Sequence, residues 1–135
     1  MAGAEPGARE YQLGEVLGQG AVATVVRVRD REGREFAGKA LHASHGQDAA
    51  AVTRFVQEAE LLAGLEHENL VQLHGVREID GRRVLLMELV EGATLEQLIA
   101  REAPLAERRI AALGQGVAAG LSHAHAAGII HRDLK

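Results

Sequence analysis

The sequence predicts an α+β fold: a five-stranded antiparallel sheet with one inserted helix, followed by further helices. Three observations carry that expectation. Thr24-Val25-Val26-Arg27-Val28-Arg29 mixes β-branched residues with alternating charges behind a glycine-rich stretch, the pattern of a half-buried strand. Val52, Phe55, Val56, Ala59 and Leu62 recur at helical spacing on one face. Asp80-Gly81 separates two apolar runs, a strong hairpin signal.

Taken in order, residues 1–10 are expected to form a flexible tail, 11–92 the sheet-bearing unit and 93–135 the start of a helical one. Gly18-Gln19-Gly20-Ala21-Val22-Ala23-Thr24-Val25 lies between two strand-like runs, and its small residues let backbone amides approach a phosphate group closely. A Gly-x-Gly-x-x-Ala string also fits a dinucleotide-binding turn, which requires a helix to follow. A strand follows instead. By itself the segment is equally compatible with an ordinary glycine-rich hairpin. Phe36-Ala37-Gly38-Lys39 continues the sheet, and Gly38 is expected to weaken packing there. Asp48 to Gly64 is the inserted helix, capped by Asp48 and ended by Gly64. Leu70 to Glu78 and Arg82 to Leu89 are the last two strands. Ala106 to Ala127 is a long helix with Ile110, Leu113, Val117 and Leu121 on one face. Gly114, Gly116 and Gly120 each cost it about 1 kcal/mol relative to Ala, so it is expected to depend on a partner surface.

The chemistry-bearing motifs resemble those of eukaryotic-type serine/threonine protein kinases, over roughly Tyr11 to Lys135. His131-Arg132-Asp133-Leu134-Lys135 resembles the opening of the catalytic loop, which implies Asp133 as the base for the substrate hydroxyl and Lys135 as a neutraliser of the transferring phosphoryl group. Residues 18–25 resemble the glycine-rich loop, with Ala23 where a third glycine is usual, so a positive φ there would be costlier. Phe36 to Lys39 resembles the strand whose lysine meets the α- and β-phosphates. Among 15 basic residues only Lys39 and Lys135 are lysine, both where kinase chemistry uses a compact ammonium. Counting back from His67-Glu68-Asn69-Leu70-Val71, which is similar to the segment after the family's regulatory helix, Glu58 becomes the partner of Lys39, and Glu60 a solvated charge. Met87-Glu88-Leu89-Val90 resembles the gatekeeper and hinge along the adenine edge, with Leu17, Val25 and Ala37 over the adenine face. Thr94 or Glu91 is placed near a ribose hydroxyl. The resemblance further implies a spine of Leu62, Leu73 and His131, and activation through a phosphate paired with Arg132.

The implied reaction is transfer of the γ-phosphoryl group of MgATP to Ser or Thr hydroxyls of a protein substrate. Both magnesium ligands of the family are expected beyond Lys135, and a whole kinase fold takes about 250 residues, so these 135 residues alone are expected to be inactive. Two other classes compete: a non-catalytic nucleotide-binding remnant or interaction fragment, and a small-molecule phosphotransferase of similar fold. Catalysis in trans would rule out the first, and a downstream Pro-x-Asn with Asp-Phe-Gly the second.

Composition narrows the setting. There is no cysteine, hence no disulfide framework, which agrees with a reducing, cytoplasmic location. A net charge of -4 leaves no nucleic-acid footprint. No apolar run approaches a membrane span, and the first seven residues lack the basic and apolar regions of a secretory signal. Seven histidines invite a metal site, but His123 and His125 point to different helix faces and His42 and His45 lie in an expected loop without a carboxylate cluster, so no metal ligand is assigned.

Overall fold

The structure, a computed structural model, describes residues 10–130 and Leu134; residues 1–9, and with them the expected tail, lie outside the described residues. The elements are β1 (Tyr11–Gln19), β2 (Ala23–Asp30), β3 (Glu35–Leu41), α1 (Ala43–Gly46), α2 (Ala49–Ala63), β4 (Leu73–Ile79), β5 (Arg82–Glu88), α3 (Leu95–Glu102) and α4 (Glu107–Ala126). The strands form one antiparallel sheet in the order β1-β2-β3-β5-β4.

Because facing residues in an antiparallel pair point to the same side, the register divides the sheet into two faces. One carries Val28, Ala40, Val84, Leu86 and Ile79, joined by Tyr11, Leu13, Val26 and Phe36. No helix is needed to close this core, because the sheet curls until the edge strands β1 and β4 touch. The other face carries Leu41, Leu85, Leu73 and Val76, and α2 covers it with Phe55, Ala59 and Val52. The sheet is therefore apolar on both sides, and α2 chooses one of them.

Gly38 corrects the sequence expectation. A Cβ built there would lie 2.5 Å from Cγ2 of Val28 and 2.8 Å from Cγ1 of Val84. Both valines are fully buried. Gly38 is thus the space into which two neighbouring strands pack, and local packing is tightened by the missing side chain.

The inserted helix keeps its expected limits. The Asp48 side chain accepts from the Ala50 N–H at 2.9 Å, satisfying one free amide of the first turn. Gly64 is the C-cap, in a right-handed rather than left-handed conformation. The β4–β5 turn is tight because Asp80 and Gly81 both adopt positive φ, 50° and 75°. β4 starts at Leu73 rather than Leu70, after the segment that α4 engages. One helix lies where a loop is expected, and another where helix is expected without set bounds. His42 to Gly46, read as loop, forms the short α1. Residues 95–102 form α3, started by a reciprocal cap in which Thr94 and Gln97 each bond the other's backbone N–H at 3.1 and 2.9 Å.

In α4 the glycines have a packing role. Gly120 is buried, and a Cβ there would meet the Asn69 carbonyl oxygen at 3.0 Å and Leu70 at 3.3 Å. Gly116 faces the Asn69 side chain at 3.7 Å. Close approach of the Asn69 backbone therefore accounts for Gly120, whereas Gly116 is in ordinary contact with the Asn69 side chain. The apolar residues Ile110, Leu113 and Val117 point away and are 54, 37 and 47% exposed.

Candidate active site

Two cross-strand rows build the site on the face shared with α2. The first runs Val25–Lys39–Leu85–Val76 and the second Arg27–Ala37–Met87–Leu73, across β2, β3, β5 and β4. Ala37 and Lys39 are two residues apart and so lie on one face. Ala37 is buried, whereas Val25 and Lys39 are half-buried. The gatekeeper candidate Met87 therefore sits beside Ala37, and the phosphate-binding candidate Lys39 sits one row away from both.

Above Lys39, β1 and β2 close around residues 20–22, with Gln19 opposite Thr24 and Gly18 opposite Val25. The Gly20 N–H bonds the Ala23 carbonyl at 2.9 Å. Ala23 is already the first residue of β2, buried and paired with Leu41. Its φ is not positive, so alanine in the third glycine position costs no backbone strain. Nothing lies within 4 Å of a Cβ built on Gly18, and Leu17 and Val22 are exposed at the hairpin mouth, as are Gln19 and Ala21.

The structure separates Glu58 from Glu60. At about 100° per residue, Glu58 lies on the side of α2 that holds Ala51, Phe55 and Ala59, the residues packed toward the sheet. Glu60 lies opposite. Glu58 thus shares the face that Lys39 occupies on the sheet, yet both glutamates are exposed, and among the described residues no carboxylate lies within ion-pair distance of Lys39.

At the hinge, the Glu88 N–H donates to the Gln72 carbonyl at 2.8 Å and its carboxylate accepts from the Gln72 N–H at 3.1 Å. Glu88 thus holds the segment that leads into β4. Leu89 and Val90 follow the last ladder pair, Phe36 with Glu88, which places their backbone groups outside the paired ladder. A cavity of about 490 Å³ adjoins this point, but Glu66, Glu68 and Glu88 line it, and three carboxylates repel a triphosphate. Thr94 is committed as a helix cap through its acceptor lone pair and keeps its hydroxyl proton for another partner. Glu91 lies 3.9 Å from Arg27.

Arg27 anchors the cleft edge through Glu15 at 2.9 Å and Glu35 at 3.0 Å. Hydrogen bonds from Arg29 and Arg27 hold the Glu35 carboxyl below the usual range. Asp133 and Lys135, with His131 and Arg132, lie outside the described residues. No group of three or more His, Asp or Glu able to hold a metal occurs among the described residues, so none of them is assigned to magnesium.

A glycine hairpin above a lysine-bearing strand, a glutamate-bearing helix on the same face, and an unpaired segment after β5 together define the N-terminal lobe of a protein kinase. The model of the protein kinase domain matches residues 11–135. The probable serine/threonine-protein kinase PknB of Lactococcus lactis is 35% identical over 95% of this chain and 21% of its own length. PrkC of Bacillus subtilis is 33% identical over 93% of the chain and 19% of its own length. Among solved structures, Rad53 in complex with AMP-PNP superposes with a TM-score of 0.78 at 32% identity, covering 93% of this chain and 33% of that one. The Mycobacterium tuberculosis PknI kinase domain gives 0.75 at 29%, covering 98% and 55%. The chain belongs to the protein kinase domain family, and it spans about a fifth of the length of these curated relatives.

Sequence reasoning missed three features of the site: the pairing of Gln72 with Glu88, the cap at Thr94, and the contacts that His42 makes with the glycine hairpin. The cap was legible as Thr94-Leu95-Glu96-Gln97. The other two join residues 16 or more apart and leave no local signal.

Proposed function

We propose that this chain carries the ATP-binding half of a serine/threonine protein kinase. ATP lies beneath the glycine hairpin, with adenine between Leu17, Val25, Ala37 and Met87 and its edge on the backbone of Leu89 and Val90. Lys39 meets the α- and β-phosphates, held there by Glu58 once α2 moves inward. Asp133 takes the proton of a substrate Ser or Thr hydroxyl, and Lys135 neutralises the transferred group. Magnesium, when bound, would offset phosphate charge; no group of three or more His, Asp or Glu able to hold it occurs among the described residues. These 135 residues by themselves are proposed to bind nucleotide without transferring phosphate, in the cytoplasm.

The observation that carries this proposal is the half-buried Lys39, without a carboxylate partner among the described residues, flanked by Val25 and Leu85 on the α2 face. Its test is calorimetric titration with AMP-PNP. Saturable binding that Lys39→Met weakens at least tenfold is expected. Equal binding by the two proteins would overturn it.

The exposed row Ile110, Leu113 and Val117 favours a second reading, a fragment that engages a protein surface. Wild-type chain that ignores AMP-PNP but forms a stable complex with the rest of a kinase domain would favour it.

A further inference from the structure

β3 ends at Leu41, and the next residue turns back onto the glycine hairpin. The backbone N–H of His42 donates to the Val22 carbonyl at 2.9 Å. Its Nε2 lies 2.9 Å from the Gly20 carbonyl oxygen, and its Nδ1 lies 3.5 Å from the Thr24 hydroxyl. One residue thus touches three points of the hairpin within a five-residue stretch.

The chemistry of these partners assigns the ring. A carbonyl oxygen can only accept, so Nε2 carries a proton. In the neutral ring Nδ1 then accepts from the Thr24 hydroxyl, which can donate. The backbone of His42 is fixed independently: its carbonyl accepts from the N–H groups of His45 and Gly46 at 2.9 Å each, at the start of α1. α1 therefore holds the end of β3 in place while the imidazole holds the hairpin.

We propose that His42 is a positioning residue for the glycine hairpin, fixing residues 20–22 relative to Lys39, three residues earlier in the chain. Glycine-rich tips pay a large ordering entropy when they close on a ligand. A clamp made before binding removes part of that cost from the binding step. His42 touches no phosphate itself; it acts on affinity by limiting where the hairpin amides and the Lys39 ammonium can stand relative to each other. The inference rests on the ATP-binding proposal for its consequence, but not for the clamp.

The test compares the 135-residue wild type with His42→Ala and His42→Gln, the latter retaining an N–H donor that can reach the Gly20 carbonyl. Hydrogen exchange without ligand and calorimetric titration with AMP-PNP are both measured. His42→Ala is expected to speed exchange selectively in residues 20–24, sparing β5 and α2, and to weaken AMP-PNP by about 3- to 10-fold, the range of one net hydrogen bond. His42→Gln is expected to recover part of both. Unchanged exchange in residues 20–24 overturns the clamp, as does wild-type affinity in His42→Ala. If wild type does not bind AMP-PNP, the ATP-binding proposal falls, while selective exchange in residues 20–24 still supports the clamp and its absence overturns it. If His42→Ala does not fold, His42→Gln decides, with wild-type exchange and affinity in a His42→Leu companion overturning the proposal.

Discussion

The sheet and helix α4 bury their surfaces by opposite means. The sheet is closed by large side chains on both faces, with Val28, Val84 and Leu86 almost fully enclosed. Helix α4 turns its smallest residues inward, Gly116, Gly120 and Ala124, and its large ones outward. Stability and cooperativity should therefore reside in the sheet with α2, and α4 should open first, because few apolar contacts hold it. Size of side chain, in other words, does not mark the inside of α4; closeness of approach does.

The contrast can be broken most forcefully at Leu86. Leu86→Ala should cost about 2–5 kcal/mol through lost burial and a cavity, lowering the urea midpoint of the whole cooperative unit. If only α4 lost exchange protection in that variant, the assignment of the stability core would be wrong. Gly38→Val comes next. Its added atoms meet Val28 and Val84 at distances below 3 Å, and such overpacking costs about 1–3 kcal/mol. A Gly38→Val protein as stable as wild type would show that the valines can move aside.

Gly120→Val sharpens the comparison from the other side. Its Cβ would press on the Asn69 carbonyl, so α4 amides should exchange faster while the thermal midpoint of the sheet stays within a degree or two; loss of sheet protection would join the two regions into one unit. A smaller effect is expected from acid. Hydrogen bonds from Arg109 and Arg101 hold the Glu102 carboxyl below its ordinary value of 4.5. A group with a lowered folded-state pKa stabilises above its unfolded pKa and loses that contribution as pH falls through the folded value. The link between α3 and α4 should thus be fully present above that ordinary value and loosen as pH falls below it, read as faster exchange in residues 95–110. Glu102→Gln should abolish that pH dependence. Smallest of all, Leu113→Gln should leave stability within about 0.5 kcal/mol, since that side chain already meets solvent.

What was legible in the sequence was local. The helix α2 could be placed to within a residue because its periodicity, Asp48 cap and Gly64 end all lie within one short segment. The β4–β5 hairpin was equally plain, since Asp80 and Gly81 occupy the two positions that need positive φ. Gly38 was misjudged because the atoms that fill its space come from Val28 and Val84, on different strands. The same holds for His42, whose hairpin partners precede it by 18 to 22 residues. Of the site, Lys39, Ala37, Val25 and Met87 share one face of the sheet, a placement that follows from strand parity. It paired Lys39 with Glu58, which the structure puts on the right helix face but does not join.

The inward stripe of α4 has a mechanical corollary. Gly116, Gly120 and Ala124 repeat every four residues, so where the helix meets Asn69, at Gly116 and Gly120, no bulky side chain stands between them. A slide of one turn, about 5.4 Å, would replace one small residue by another beneath the same carbonyl. The His67 and His123 rings lie 5.1 Å apart beside this contact. Small residues bring these two segments close, and a pair of imidazoles meets alongside them.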